Sequence, residues 1–180
     1  MAGLPGWNHA MGESPGVRVT QVYWPCLLTP RPGLSQLITF KLCLWDAGDA
    51  AVRKYSHVYP VCRQDAAAVI LTFSFQDRTT WEELPAMIQR MLSDGDSESI
   101  LPIIVGTKFG SNSDNEVSVQ EVMEAETNWN IPIIKVRHAG GGSGGQGGGA
   151  PSNLPEVASA LNTICEQLWL ASQRDRVADC

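Results

Sequence analysis

The second half of this chain alternates short, almost uninterrupted apolar runs with segments that have helical patterning. A strand covered on both faces of a sheet needs such a run, because both rows of its side chains are buried. Strands that alternate with helices in this order form parallel sheets. The pattern therefore predicts an α/β fold with a mostly parallel sheet flanked by helices. The predicted strands are Ala66–Phe75, Ile100–Val105 and Ile131–Val136, and the predicted helices are Thr79 to about Leu92, Ser118–Trp129 and Leu154 to about Ser172.

The first half has a different pattern, in which apolar and polar residues alternate as in a strand with one covered face. Two such segments, Val17–Trp24 and Leu37–Trp45, flank Pro30-Arg31-Pro32-Gly33, so we expect an antiparallel hairpin with a long connection. The spacing of apolar residues in the next segment predicts a helix over Ala51–Arg63. Among the later helices, Thr79 is placed to cap its helix, and Glu121 is placed for a capping box.

Composition excludes several classes of function. A net charge of −6 and an isoelectric point near 5.0 argue against a general nucleic-acid binder, which needs a basic surface. The five cysteines are odd in number and lack the spacing of a metal site, so we interpret them as reduced cytosolic thiols that mostly fill the core. No apolar run approaches the length of a membrane span, so we expect no transmembrane segment.

Polar and glycine-containing motifs follow the predicted strands. Trp45-Asp46-Ala47-Gly48-Asp49 ends the hairpin, and three more motifs end the apolar strands. Ligands of open α/β sheets bind at the carboxyl ends of the strands, so we expect these motifs to share one rim. The three later motifs are Phe73-Ser74-Phe75-Gln76-Asp77, Val105-Gly106-Thr107-Lys108-Phe109-Gly110 and Ile133-Ile134-Lys135-Val136-Arg137-His138.

In this order, the motifs resemble those of Ras/Rab-type small GTPases. The first is similar to switch II, the third to the guanine-reading Asn-Lys-x-Asp loop, and the fourth stands in the place of the Ser-Ala-Lys loop. Ser14-Pro15-Gly16-Val17 resembles the start of a Rab-type switch I. The resemblance covers essentially residues 14–169. It predicts a small-GTPase-like domain over residues 14–172, an irregular segment over 1–13, a flexible Gly-rich loop over 140–149 and a tail over 173–180.

The resemblance implies binding of GTP or GDP with Mg²⁺. It implies that Asp46 holds Mg²⁺ through water, that Ser14 lies near the metal and that the Gly48 amide contacts the γ-phosphate. It further implies that Asp49 occupies the position of the catalytic Gln. The residues implied to bind nucleotide are Gly48, Thr107, Lys108, Gly110, Arg137 and His138.

This chain also departs from the family pattern. Asp49 adds negative charge where Gln orients the attacking water, so we expect poor or no GTP hydrolysis. Thr107 replaces the Asn of the guanine loop, and Gly110 replaces the Asp whose carboxylate accepts two guanine N–H bonds. Loss of those bonds, at about 1.5–3 kcal/mol each, predicts weak discrimination for guanine. Arg137 and His138 stand where Ser-Ala is expected.

The 180 residues contain no Gly-x-x-x-x-Gly-Lys-[Ser/Thr] phosphate loop. Residues 1–13 are rich in Gly and Pro and cannot supply a buried strand. We therefore expect a chain truncated at its N-terminus, which lacks the first strand and the phosphate loop of the family and, as written, binds no nucleotide measurably. The alternative is a genuine variant that folds without that strand.

Within the family, Trp45-Asp46-Ala47-Gly48-Asp49, Asp77-Arg78 and Lys108-Phe109 resemble a divergent Rab-like branch. That resemblance implies a role in cilium assembly and planar polarity, as a GTP-binding regulator of ciliary transport and targeted membrane traffic. The implied partners are effector proteins of ciliogenesis and planar polarity and the intraflagellar transport machinery. The implied location is the cytoplasm, at the ciliary basal body and cytoskeleton. A nucleotide-independent interaction module in the same complex stays open as the alternative.

Overall fold

The computed structural model describes residues 17–31, 33–47, 58–93, 100–110, 114–137 and 154–178. These residues form five strands and five helices, in the order expected for strands that alternate with helices after a hairpin. The strands are β1 (Val17–Arg31), β2 (Leu34–Ala47), β3 (Ala68–Ser74), β4 (Leu101–Phe109) and β5 (Ile133–Arg137). The helices are α1 (Val58–Arg63), α2 (Arg78–Glu82), α3 (Leu84–Ser93), α4 (Val119–Trp129) and α5 (Leu154–Ala178).

The described residues fall into two compact units, one within residues 1–25 and 39–65 and the other within 26–38 and 66–180. The first unit contains the open end of the β1–β2 hairpin and α1, and its buried side chains include Leu42 and Arg63. The second unit contains the closed end of the hairpin, the β3–β4–β5 sheet and α2 to α5. The strands thus form two sheets, one of two strands and one of three.

The three-stranded sheet is parallel throughout, in the order β3-β4-β5, which confirms the fold class expected from the apolar runs. Phe73 lies opposite Gly106 in the β3–β4 pair, and Ile104 lies opposite Ile133 in the β4–β5 pair. Helices α2, α3 and α4 and the residues next to α4 supply most of the rest of the main core. The buried members of that core are Phe73, Phe75, Trp81, Leu84, Ile88, Ile104, Val117, Val122, Ala125, Ile131 and Ile133.

The hairpin differs from its predicted form, because its strands are longer and its connection is short. β1 extends to Arg31 and β2 begins at Leu34, so the predicted long connection is wrong. Two adjacent strands joined by so short a link are antiparallel. Near its closed end, Cys26 is buried, and its Sγ lies 3.9 Å from the carbonyl oxygen of Asn162 in α5.

The predicted helix from Thr79 to Leu92 is two helices, α2 and α3, which meet at Glu83. Thr79 does not cap it. The N-cap is Asp77, whose Oδ1 accepts the main-chain N–H of Thr79 at 3.0 Å and the Thr79 hydroxyl at 2.6 Å. The capping box of α4 is confirmed: the Ser118 hydroxyl accepts the Glu121 N–H, and the Glu121 carboxylate accepts the Ser118 N–H.

Of the four cysteines that the structure describes, two have the core position expected for most of them. Cys26 and Cys165 are buried, whereas Cys43 is exposed and Cys62 is half-buried. Burial raises the pKa of the Cys165 thiol to about 11, and the nearby Cys26 thiol adds to the shift. Burial likewise raises the pKa of Cys26. These two thiols are therefore protonated at neutral pH and act as small apolar side chains.

Candidate nucleotide-base site

The ends of β4 and β5 bring together four of the residues predicted to contact a nucleotide: Thr107, Lys108, Gly110 and Arg137. Asp46 lies near the end of β2, in the other compact unit, and its side chain is exposed. Ser14, Gly48, Asp49 and His138 lie outside the described residues.

Thr107 is engaged in joining β3 to β4. Its hydroxyl donates to the carbonyl oxygen of Phe73 at 2.9 Å, and its own carbonyl accepts the N–H of Phe75 at 2.9 Å. The side chain at the position of the family's Asn therefore stabilises the end of the sheet. A hydroxyl has a single proton to donate, so in this arrangement Thr107 offers a ligand only acceptor capacity.

Lys108 adopts a left-handed backbone conformation with φ of 54°. It lies in the irregularity of the β4–β5 pairing between Gly106 and Phe109, where an extra residue turns the strand. A residue other than glycine rarely occupies this region, and when it does it often marks a functional site. The positive charge of Lys108 is one of the smaller causes that lower the pKa of Asp77, after its hydrogen bonds with Thr79 and Thr80.

Phe109 and Arg137 form a stacked pair at this end of the sheet. The Arg137 guanidinium carbon lies 5.9 Å from the centroid of the Phe109 ring, within the range of a cation–π contact. Phe109 in turn packs against Phe75 with a centroid separation of 4.8 Å. Arg137 is thus held by an aromatic face and exposes its guanidinium N–H donors.

Gly110 has room for a side chain. A Cβ atom built there would lie 3.8 Å from Nε2 of Gln76, 3.9 Å from Oδ1 of Asn115 and 4.0 Å from the carbonyl oxygen of Lys108. These are ordinary van der Waals distances, and Gly110 has no positive φ that would require glycine. A Cβ atom would therefore fit at the position where the family has its guanine-reading carboxylate.

Asn115 holds this loop, and sequence reasoning missed it. Its Oδ1 accepts the N–H of Gly110 at 3.3 Å, and its Nδ2 donates to the Gly110 carbonyl at 3.5 Å. The sequence feature that could have identified Asn115 is its residue type, because Asn side chains often form hydrogen bonds with the main chain of turns. The residue type alone does not show that the partner is Gly110, five residues earlier in the chain.

Gly106 is the second residue that sequence reasoning missed. A Cβ there would lie 2.5 Å from the Phe75 ring and 2.6 Å from the Phe73 ring. The missing side chain makes space for two rings that pack 4.9 Å apart on the same face of β3. Gly106 thereby sets the position of Phe75, which supports Phe109 and Arg137.

The loop after β3 is fixed to α4 by Arg78. Its Nη2 lies 2.8 Å from a carboxylate oxygen of Glu121, its Nε bonds Glu82 at 3.2 Å, and its Nη1 donates to the Glu116 carbonyl. The Arg78 hydrogen bond, with smaller help from Ser118, lowers the pKa of Glu121 from 4.5 to about 2. Among the described residues, no group of three or more His, Cys, Asp and Glu side chains could hold a metal ion.

The sequence model of the Ras family matches residues 35–137, which include β2 from its second residue, β3 to β5 and all four described residues of the base site. The match covers more than half of the chain. The chain belongs to the Ras family. The parallel sheet and the hairpin are the small-GTPase-like fold expected from it.

Three Ras-family relatives are proteins called ciliogenesis and planar polarity effector 2. The one from Xenopus tropicalis is 34% identical over 98% of this chain and 67% of its own length. The Xenopus laevis protein is 32% identical over 97% of the chain, and the Homo sapiens protein 29% identical over 99%; the chain covers 66% of each. The chain thus spans about two thirds of the length of these relatives. None of the described helices is long and apolar enough to cross a membrane.

Proposed function

We propose that this Ras-family protein acts in cilium assembly and planar polarity as a GTP-binding regulator of ciliary transport and targeted membrane traffic. The observation that carries the proposal is 34% identity over 98% of the chain to a relative named for ciliogenesis and planar polarity. Its partners would be effector proteins of that system and the intraflagellar transport machinery. It would act in the cytoplasm, at the basal body and the ciliary cytoskeleton.

The end of β4 supports a role in holding a purine base. Lys108 is held in a left-handed conformation, and its aliphatic stem is long enough to lie along a base plane. Arg137 is held over the ring of Phe109, the residue that follows Lys108, and supplies a second cation at this end of the sheet. GTP or GDP and Mg²⁺ would be bound by a form of the protein that includes a phosphate loop. In that form Asp46 would hold the metal through water, with Ser14 nearby, and Gly48 and His138 would also contact the nucleotide.

Hydrolysis by that form would be slow. Asp49 stands where the family has the Gln that orients the attacking water. A carboxylate can accept a hydrogen bond from water, but its charge opposes the negative charge that develops on the γ-phosphate. Asp49→Gln should therefore raise the single-turnover rate, whereas fast turnover by the unmutated protein alone would contradict this part of the proposal.

A second function, a nucleotide-independent interaction module, is favoured by the loop at Gly110. The position has space for a Cβ atom but carries no side chain, and the Asn115 amide bonds the main chain through both its oxygen and its nitrogen. A protein under strong selection to discriminate guanine would keep that carboxylate, because the lost bonds are charge-assisted.

Rescue of ciliated cells that lack the endogenous protein separates the two functions. A form with a phosphate loop would be expressed unmutated, as Asp46→Ala, and as Lys41→Ala, a control on the same strand that is also exposed. Rescue by the unmutated and Lys41→Ala forms but not by Asp46→Ala is expected for the GTP-dependent regulator. Rescue by all three would favour the interaction module. Failure of the unmutated form would contradict the ciliary role itself.

A nucleotide comparison tests the base site separately. In the same form, Gly110→Asp should tighten binding of GTP more than binding of ITP, because hypoxanthine lacks the 2-amino group that a carboxylate accepts from. Gly110→Asn is the matched control, since its amide has a similar size and lacks the charge. An equal change for GTP and ITP would show that the base does not lie against residue 110.

A further inference from the structure

Gln76 follows β3 in a turn whose main chain is fixed by hydrogen bonds on both sides of it. Its own N–H donates to the Ser74 hydroxyl at 3.2 Å. The N–H of Phe75 before it bonds β4, and the N–H of Asp77 after it donates to the Ser74 carbonyl at 3.2 Å. The turn therefore holds Gln76 at the carboxyl end of the parallel sheet, where ligands of open α/β sheets bind.

The side chain of Gln76 reaches the space beside Gly110. Its Nε2 lies 3.8 Å from a Cβ atom built on Gly110, the shortest of the described distances to that atom. Gln76 is exposed, and in the part of the chain that the structure describes no hydrogen bond engages its side-chain amide. The amide thus lies in contact with the position where the family has its guanine-reading carboxylate.

Three other acidic or amide side chains at this end of the sheet are already engaged. Asn115 bonds the Gly110 main chain through both its oxygen and its nitrogen. Asp77 caps α2, and the Glu116 carboxylate accepts the main-chain N–H of the first residue of that helix at 2.9 Å. Of these four side chains, Gln76 is the one whose polar atoms are available to a ligand.

We propose that Gln76 is a specificity-determining residue of the nucleotide-base site, where its amide takes the place of the guanine-reading carboxylate. This inference rests on the proposed binding of a purine nucleotide. A carboxylate has two acceptor oxygens, which suit the N1–H and 2-amino donors of guanine, whereas an amide has one acceptor oxygen and one donor nitrogen. The Gln76 oxygen accepts from N1–H of the base, and its nitrogen donates to an acceptor at position 2.

This pairing gives a direction to the weak discrimination expected from Gly110. Guanine keeps the bond from N1–H to the amide oxygen, but its 2-amino group meets the amide nitrogen, donor against donor. Xanthine, which has an oxygen at position 2, keeps the first bond and gains a second from the amide nitrogen. The site therefore accepts 6-oxopurine nucleotides and favours a 2-oxo group over a 2-amino group.

Exchange of the amide for a carboxylate tests this assignment at nearly constant side-chain size. In a form of the protein that includes a phosphate loop, calorimetry measures the affinities for GTP and for xanthosine triphosphate (XTP). The unmutated form should bind XTP at least as tightly as GTP. Gln76→Glu should raise the ratio of GTP affinity to XTP affinity by about tenfold or more, because a carboxylate accepts charge-assisted bonds from both guanine donors.

A second glutamine controls for the added charge. Gln36→Glu places the same carboxylate at an exposed position of β2 and should leave the affinity ratio as in the unmutated form. An unmutated form that clearly prefers GTP over XTP, or a Gln76→Glu ratio equal to that of Gln36→Glu, would overturn this inference while leaving the proposed nucleotide binding intact. Failure of the unmutated form to bind either nucleotide would overturn both.

Discussion

The side-chain amide of Asn115 bonds both main-chain groups of Gly110, accepting its N–H at 3.3 Å and donating to its carbonyl at 3.5 Å. One side chain thereby fixes the residue that stands where its family has a guanine-reading carboxylate. Both hydrogen bonds that hold the loop come from the protein itself.

Asn115→Ala should loosen this loop. Loss of two partly buried hydrogen bonds should lower the free energy of unfolding by about 1–2 kcal/mol. Amide hydrogen exchange at Gly110 should accelerate more than exchange within α4. Asn115→Asp is the control, because it keeps the acceptor for the Gly110 N–H and loses only the donor. Unchanged exchange at Gly110 in Asn115→Ala would contradict the assigned contact.

Gly106→Ala should destabilise the protein by about 1–3 kcal/mol, because overpacking forces neighbouring rings to move. The added methyl group would lie within 2.8 Å of three ring atoms of Phe73 and Phe75. Gly110→Ala is the matched control, since its Cβ meets its nearest neighbours at 3.8 Å or more. Urea unfolding of both variants is the measurement. Equal stability of the two would show that the rings can shift at little cost.

Acid should weaken the Arg78–Glu121 contact in a defined pH range. The folded-state pKa of Glu121 is lowered from 4.5 to about 2, so its stabilising contribution is present above pH 4.5 and is lost as the pH falls toward 2. The carboxylate is 36% exposed, so solvent screening keeps the effect small. Unfolding measured across this range should show a smaller loss of stability for Glu121→Gln than for the unmutated chain. Glu124→Gln, on the same helix, should behave like the unmutated chain.

The chain as written should not bind GTP measurably. Its residues include no phosphate loop, whose backbone amides and Lys supply the main contacts to the triphosphate. Isothermal calorimetry with GTP and Mg²⁺ is the measurement, and a form that includes a phosphate loop is the positive control. Micromolar affinity of this chain for GTP would show that other residues hold the phosphates.

Much of the fold could be predicted because it depends on local patterns. The runs at 66–75 and 131–136 correctly predict strands, because a continuous apolar run is typical of a strand in a parallel sheet. The predicted burial on both faces is wrong, since Phe73 is the one buried residue of β3 and Ile133 the one buried residue of β5. The ends of elements were predicted less well. Asp77 and Thr79 are both good caps, and the choice between them depends on the turn at Ser74, which the local sequence does not specify. Strand β1 extends past Pro25 and Pro30, because proline is tolerated at strand positions whose N–H is not needed for a hydrogen bond to the neighbouring strand.

The base site was predicted only in part. The order of the motifs predicted that Thr107, Lys108, Gly110 and Arg137 would lie at the ends of neighbouring strands, and the described structure has them there. The order of the motifs could not predict the hydrogen-bond partner of each side chain. The Thr107 hydroxyl bonds a carbonyl 34 residues away, and such contacts depend on the register between strands. Ser14, Gly48, Asp49 and His138 lie outside the described residues, so their assigned roles stay predictions.

The space left by Gly106 also has a consequence for how the sheet assembles. Phe73 lies directly opposite Gly106, and its ring occupies the volume that any other side chain would fill. A slip of two residues in either direction would keep the faces of β3 correct but would set Ile104 or Lys108 against that ring. Both alternatives put a large side chain where the native pair has none. Gly106 thus favours the native register of β3 and β4 over the two registers that are shifted by two residues.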